Sequence, residues 1–370
     1  MRQLYWNFAY AGAIICVALS WIGATRFRAK MTEFEEVKVA GYSDLLYLVF
    51  IFFPLYAGIR ITFNKLFENT ILKKLQQNDP DNYETKKVRV VKEAFGSFWY
   101  GIQALMAYLL FANTELLPTL CFGTLECGDF FRGWPLTMPD WKLRSFFMLQ
   151  MAFHLYTAIE FELKNREQKV PEYNEMRLHH CLAIIMIFLC YISNTFPFGV
   201  TILFVADFTD MPLNMAKFSR DMKILPKTHI REIIFGWTVV SWLYFRGVVM
   251  GFCVMKGCFT AMYHIFTYDK AWFNKIARET IFPLLPHFIA KTGMEIILLL
   301  LNFYWIYLLL KIAYNRIVNN DTNFANKNWG EKAKHSDRTS NTDGSLSQKS
   351  VSSRENRTTT QQNPDEKKTK

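Results

Sequence analysis

The hydrophobic residues of this chain fall into long blocks that are separated by shorter polar segments. Eight of these blocks approach the ~20 residues that a helix needs to cross the hydrocarbon layer of a membrane. They are residues 4–24, 45–62, 94–111, 143–161, 180–196, 199–217, 233–253 and 294–314. The pattern predicts an all-α, polytopic membrane protein with about seven transmembrane helices, or eight if the first block is retained.

The first block, 4–24, fits two interpretations. Arg2 precedes an apolar stretch that ends in small residues near Ala24, as in a cleaved secretory signal. A signal peptide would leave seven spans with an N-terminus outside the cytosol, whereas a retained helix would make eight. The sequence leaves both interpretations open.

Basic residues predict the orientation of the spans, because loops rich in Lys and Arg stay in the cytosol. If block 45–62 runs inward, the basic clusters within 65–92, 164–177 and 220–231 are cytosolic, and so is the C-terminus. The loop 113–142 carries only Arg132 and Lys142, which suits the outer side. The segment 254–293 fits less well, since its five basic residues fall on that outer side.

Composition separates an apolar body from a polar tail. The formal net charge of +11 lies in segments beside apolar blocks, which favours membrane topology over nucleic-acid binding. We divide the chain into an N-terminal hydrophobic segment with an outer stretch (1–43), a first span with its basic loop (44–93), the main helical domain (94–318) and a disordered cytosolic tail (319–370).

The seven cysteines form neither a CxxC pair nor a zinc-binding spacing. On the predicted topology Cys121 and Cys127 face the oxidising side, and Cys253 and Cys258 lie at its membrane edge. Disulfides within either pair are compatible with that compartment, but spacing alone does not establish them.

Two neighbouring blocks, 180–196 and 199–217, carry ionisable side chains. Pro197 and Gly199 lie at their junction and predict a turn with antiparallel packing of the two helices. The second helix carries polar residues spaced three, four and three apart: Asp207, Asp210, Asn214 and Lys217. At 100° per residue these four side chains form one stripe within an arc of ~80°.

The first helix of this pair begins with two histidines. His180, Tyr191 and Asn194 share a face, whereas His179 points ~100° away from His180. We therefore expect the two histidines to have different tasks. Imidazole can act as a nucleophile or general base near neutral pH, and a carboxylate can orient it and stabilise its cation.

Carboxylates within a membrane span are costly, so Asp207 and Asp210 should face protein or water and mark a functional site. The alternative is that both aspartates pair with Lys217 only to hold helices together. Helix geometry places His180 ~24 Å before the turn and Asp210 ~17 Å after it. Direct contact between them then needs a tilt, a kink at Pro212, or a bridging substrate or water.

The residues LHH, then YxxN, DxxD and AKF, with the first Asp twenty-eight positions after the first His, resemble the signature of the ceramide synthases. These are TLC-domain enzymes of the endoplasmic reticulum. The resemblance is dense over about forty-five residues and weaker from Asp44 to about Ile317, where it includes KEAFGSFWY. It implies a six-helix TLC barrel that follows one or two N-terminal spans.

The resemblance implies transfer of a fatty acyl group from acyl-CoA to the amine of a sphingoid base, which yields ceramide or dihydroceramide. His179 and His180 would then accept the acyl group and transfer protons through a ping-pong, acyl-imidazole route, with Asp207 and Asp210 as acidic partners. Substrate-binding or supporting positions are expected at Tyr191, Asn194, Asn214 and Lys217.

The implied ligands are the sphingoid base, acyl-CoA as co-substrate and membrane lipid, with no bound cofactor, no metal and no nucleic acid. The resemblance is compatible with a homodimer or a heterodimer. Lys367 and Lys368, near the C-terminus, resemble a dilysine signal that a retrieval coat reads to return membrane proteins to the endoplasmic reticulum.

The chain also departs from the family pattern. Ala206 stands where the family has His before the first Asp, and Asn214 stands where it has an acidic residue. Both changes put the strength of catalysis in doubt. In related enzymes the last outer loop, here around 255–291, influences acyl-chain length, but the sequence does not name a length.

Three other classes compete with this interpretation. His179, His180 and Cys181 resemble the HHC of protein palmitoyltransferases, but the cysteine-rich zinc framework is missing. A seven-span receptor or transporter is not supported, because the sequence has no internal repeat. The alternative that remains is a non-catalytic TLC-domain protein that binds or senses lipid.

Overall fold

The computed structural model describes residues 14–19, 21–22, 25–26, 29, 43–134, 141–165, 173–222, 229–267 and 275–318. Side chains at 164–165 and 275–284 are not described. The described residues belong to one compact unit, Met1–Thr322. The predicted tail at 319–370, with its dilysine motif, lies outside the described residues.

Seven long helices make up most of the described chain, and we label them α1 to α7 in chain order. They are α1 Asp44–Asn78, α2 Pro80–Phe111, α3 Trp141–Asn165, α4 Tyr173–Ile192, α5 Phe196–Asp221, α6 Ile230–Phe266 and α7 Lys275–Val318. All of these except α3 are long and apolar enough to cross a membrane, with α7 counted from Leu285. The prediction of an all-α polytopic membrane protein is thereby confirmed.

Helix α3 forms where the block 143–161 predicts a span, but its composition is less apolar than that of the other helices. Polar residues interrupt it at Arg144, Gln150 and His154, and the last two are buried. The same helix buries Phe146 and Phe147 in the main core. Its inner face is therefore mixed, because it contributes both to the core and to a polar site.

An aromatic cluster joins α1 to the bundle. Tyr56 of α1 is almost fully buried, with its ring 4.9 Å from that of Trp99 and 5.5 Å from that of Phe153, both in edge-on geometry. Edge-on aromatic pairs are favourable beyond the area that they bury. This cluster fixes α1 against α2 and α3.

Part of the first predicted block also contacts the bundle. Residues 14–19 are helical. A Cβ atom placed on Gly293 of α7 would stand 3.0 Å from the Cys16 sulfur, and Trp21 stacks on Phe188 of α4 with ring centroids 6.0 Å apart. The described residues of this block thus pack on α4 and α7.

The α4–α5 turn forms where Pro197 and Gly199 predict it. Asn194 has a left-handed backbone, with φ of 52°, which asparagine tolerates better than most residues. Pro197 lies in the first turn of α5, where its missing N–H costs nothing. A Cβ on Gly199 would be 2.8 Å from Phe147 and 2.9 Å from Cys190, so only glycine permits this approach of three helices.

The disulfide joins Cys127 to Cys253, with Cα atoms 5.0 Å apart, so pairing within 121/127 or 253/258 is wrong. Cys121 and Cys258 are free and buried. The loop after α2 folds over α6, where Tyr244 donates a hydrogen bond to the Leu120 carbonyl at 3.0 Å. Contacts between segments, rather than spacing along the chain, select the partner.

Candidate active site

A cavity lies inside the bundle, among α2 to α7. It encloses about 840 Å³ of space not filled by atoms, its open mouth included. His179, His180, Asp207 and Asp210 all line it, so tertiary packing brings together the four residues predicted to be catalytic. Its remaining lining is largely apolar toward the α4–α5 turn, with Met186, Ile187, Ile202, Leu203, Met250 and Leu298.

The two histidines have different neighbours, as their angular separation predicts. The His179 ring packs edge-on against Trp305 of α7 with centroids 5.2 Å apart, and His180 packs on Phe161 of α3 at 5.4 Å. The two imidazole centroids are 5.8 Å apart. Nδ1 of each ring is buried and has no hydrogen-bond partner within the described ranges. Both imidazoles are therefore free to bind a molecule in the cavity.

Asp207 is almost completely buried and is held by amides. Nε2 of Gln150, on α3, donates a hydrogen bond of 2.6 Å to Oδ2 of Asp207. The fully buried amide of Gln103, on α2, adjoins the same carboxylate. Neutral amides solvate the carboxylate without supplying a counter-charge.

Asp210 has a cationic partner instead. Arg246 of α6 forms a salt bridge to it, with Nη2 and Oδ1 2.7 Å apart. The same guanidinium donates to Thr209 Oγ1 at 2.7 Å and to Asn302 Oδ1 at 3.0 Å, and it lies 4.0 Å from the Trp242 ring centroid. These contacts hold the guanidinium from several sides, so Asp210 is neutralised by a firmly positioned cation.

Neither aspartate hydrogen-bonds to a histidine among the described residues. The depth difference between His180 and Asp210 predicts that direct contact needs a tilt, a kink at Pro212, or a bridging substrate or water, and no direct hydrogen bond joins the two in the described chain. Pro212 has no backbone N–H and so interrupts the backbone hydrogen bonds of α5 near the site. On the preceding turn, the Trp242 indole N–H donates to the Thr209 carbonyl at 3.0 Å.

The sequence pattern does not single out several polar residues of the site, among them Gln150, His154 and Arg246. Arg246 interrupts the apolar block 233–253, and an isolated charge in a membrane span is itself a signal of function. It lies in a π-helical stretch, Trp242–Val254, and such stretches are frequent at functional sites. Gln150 and His154 are one turn apart on α3, a weaker signal that periodicity could have shown.

No group of three or more His, Cys, Asp or Glu side chains is placed to hold a metal ion in the part of the chain that the structure describes.

Comparison with known families gives the context of this cavity. The family model described as TLC domain matches residues 89–311, which is more than half of the chain. The protein belongs to the TLC-domain family. The matched TLC segment begins within α2, ends within α7 and contains every residue that lines the cavity.

Curated relatives of this TLC protein include proteins named ceramide synthases. The chain is 27% identical to ASC1-like protein 3 of Oryza sativa subsp. japonica over 229 residues, which cover 60% of this chain and 72% of the relative. It is 25% identical to ceramide synthase LOH1 of Arabidopsis thaliana over 287 residues, covering 75% and 87%. It is 22% identical to ceramide synthase LAG1 of Saccharomyces cerevisiae over 242 residues, covering 63% and 53%.

The four residues predicted to bind substrate or support the site do not line the TLC cavity. Tyr191 donates a hydrogen bond to Asp44, which also pairs with Arg144, so it ties α4 to α1 and α3. Asn194 forms the left-handed turn residue between α4 and α5.

The other two of these residues lie farther along α5. Asn214 donates to the Asp210 carbonyl at 2.8 Å and packs against Gly96 of α2. Lys217 lies close to Glu93 of α2. The polar stripe on α5 is therefore shared between the cavity, which takes the two aspartates, and the α2–α5 interface.

Proposed function

We propose that this TLC-domain protein is a ceramide synthase, which transfers a fatty acyl group from acyl-CoA to the amine of a sphingoid base. One observation carries the proposal: two adjacent histidines and two aspartates from α4 and α5 line one cavity, and the other end of that cavity is apolar. The relatives named ceramide synthase and sphingosine N-acyltransferase support the same chemistry.

In the proposed first step, a neutral imidazole of His179 or His180 attacks the thioester carbonyl, the C–S bond breaks, and the departing CoA thiolate takes up the N–H proton of that imidazole. The fatty acyl group is then held as an acyl-imidazole, which is activated toward amines. The apolar end of the cavity accommodates the alkyl chain.

In the proposed second step, the sphingoid ammonium gives a proton to a carboxylate and the neutral amine attacks the acyl-imidazole. The new C–N bond forms as the acyl–imidazole bond breaks, the second amine proton passes to the leaving imidazole nitrogen, and the product is an amide. Asp207 suits the proton acceptor because, among the described residues, only amides donate to its carboxylate, whereas Asp210 is neutralised by Arg246. The ion pair of Asp210 and Arg246 then has a structural task in the lining of the cavity.

The proposed location is the membrane of the endoplasmic reticulum, with the C-terminus in the cytosol. In this orientation the α4–α5 turn and the Cys127–Cys253 disulfide lie on the oxidising side, which supports the assignment. The histidine end of α4 then faces the cytosol, where acyl-CoA is present.

The test is expression in membranes that lack their own ceramide synthase, followed by incubation with labelled sphinganine and a panel of acyl-CoAs. We expect an N-acyl product from the wild type, and at least a hundredfold less from a His179→Ala/His180→Ala double variant, because acid–base and covalent catalysis are both removed. Membrane insertion of each variant is measured in parallel.

No amide with any acyl-CoA, despite correct insertion, would contradict the proposal. It would favour the alternative of a non-catalytic lipid-binding TLC protein, which is motivated by the lack of a hydrogen bond between aspartate and histidine in the described chain. Binding of sphinganine without turnover would identify that alternative.

A further inference from the structure

A third imidazole, that of His154 on α3, also lines the cavity. Its residue is only 8% exposed, and its Nε2 is buried without a hydrogen-bond partner in the described chain. The ring packs edge-on against Phe153 with centroids 4.9 Å apart, so its position is set by the aromatic cluster around Tyr56. The transfer chemistry proposed above does not use this residue.

An unpartnered buried nitrogen in a cavity wall indicates a ligand, because buried polar groups are almost always hydrogen-bonded. Thr157, the next polar residue of α3 in the cavity wall, does not need one. Its hydroxyl donates to the Phe153 carbonyl at 2.9 Å. Of the two α3 residues that line the cavity, His154 is therefore the one with an unpaired buried polar atom.

The position of His154 relative to Asp207 suggests which part of the substrate it contacts. Gln150 donates to Asp207 and precedes His154 by four residues, which puts both side chains on one face of α3 about 6 Å apart along the helix axis. A substrate amine that delivers its proton to Asp207 brings the adjacent carbons of its headgroup toward that next turn. In a sphingoid base those carbons carry hydroxyl groups.

We propose that His154 hydrogen-bonds a hydroxyl of the sphingoid headgroup and thereby selects hydroxylated long-chain amines over simple alkylamines. This specificity role rests on the proposed N-acyltransferase function.

The experiment compares kcat/KM for sphinganine and for octadecylamine, which has the same chain length and no hydroxyl, in wild type and variants. We expect His154→Phe to lower the sphinganine-to-octadecylamine ratio about tenfold, through the KM for sphinganine, since one hydrogen bond to the substrate is lost. The KM for acyl-CoA stays unchanged. His154→Gln keeps a hydrogen-bonding group near the Nε2 position and retains the ratio within about threefold.

Thr157→Val is the matched control, because it alters the same face of α3 without removing a free polar group, and its ratio stays at the wild-type value. A ratio unchanged in His154→Phe overturns the role. An equal loss with both amines also overturns it, since His154 would then serve the chemistry or the framework rather than hydroxyl recognition.

A binding measurement separates this inference from the proposed function. Sphinganine should raise the melting temperature of the detergent-purified wild type more than octadecylamine does, and His154→Phe should abolish that difference. A wild type that shows this difference but forms no amide would leave His154 as a headgroup ligand and refute the acyltransferase proposal. A wild type that forms amide without this difference would refute the role of His154 alone.

Discussion

At the scale of single residues, two aspartates three positions apart have different surroundings. Asp207 is solvated by neutral amides, whereas Asp210 faces a guanidinium that is itself held by Thr209 and Asn302. The Arg246 side chain is 4% exposed, so the pair is largely removed from water. Because only one of the two carboxylates has a cationic partner within the described residues, the two aspartates suit different tasks.

Breaking this ion pair should be costly. Removing one partner of a buried pair leaves an uncompensated charge, at a cost of about 3–5 kcal/mol. Arg246→Met should therefore lower the melting temperature in detergent strongly, and Asp210→Asn in the same chain should restore part of the loss. The measurement is a double-mutant cycle, and we expect a coupling free energy of at least about 1 kcal/mol.

The control is the Arg316–Glu232 pair, whose side chains are 39% and 40% exposed and whose coupling should be about 0.5 kcal/mol or less. Additive effects at Arg246 and Asp210 would show that the two charges do not stabilise each other.

At the scale of helices, the site depends on how closely α3, α4 and α5 approach at the turn. Gly199 is the contact point, with Phe147 of α3 and Cys190 of α4 on either side. Because the cavity is lined by Cys190 and Gly199 at this end, the same contact closes its apolar part. Proximity of the histidines to the aspartates follows from this antiparallel arrangement.

A methyl group at the contact point should push the helices apart. We expect Gly199→Ala to destabilise the protein by about 1–3 kcal/mol, as overpacked cores do. Gly58→Ala is the matched control, since no atom that the structure describes outside the helix's own backbone lies within 4 Å of a Cβ at that position of α1. Thermal unfolding in detergent measures both variants, and equal melting temperatures would contradict close packing at Gly199.

At the scale of the whole molecule, the Cys127–Cys253 bond crosses a sequence separation of 126 residues and ties the loop after α2 to α6. Cys121, in the same loop, stays a thiol, and burial raises its pKa. Closing a long loop restricts the unfolded chain, so the cross-link should contribute about 2–5 kcal/mol to stability.

Alkylation of the denatured protein tests the connectivity. Five of the seven cysteines should react before reduction and all seven after it, as mass spectrometry can count. Cys127→Ser should expose Cys253 as a new thiol and lower the melting temperature, whereas Cys121→Ser leaves the disulfide intact. Seven reactive cysteines without reduction would rule out the bond.

The sequence by itself determined the helical, membrane-embedded fold and the turn before α5. It also indicated the two histidines and two aspartates that line the cavity. Each of these features depends on a local pattern: the length of the apolar segments, the helix-breaking residues Pro197 and Gly199, and ionisable residues at helical spacing. Charges inside apolar blocks are conspicuous even without a structure.

Only the tertiary structure decided which groups meet. Asp210 pairs with Arg246, Cys127 with Cys253, and Tyr191 with Asp44 rather than with the cavity. These partners lie on different helices and loops, so their pairing depends on which faces the packed bundle brings together. Helix periodicity tells which residues share a face, whereas packing alone tells what that face contacts.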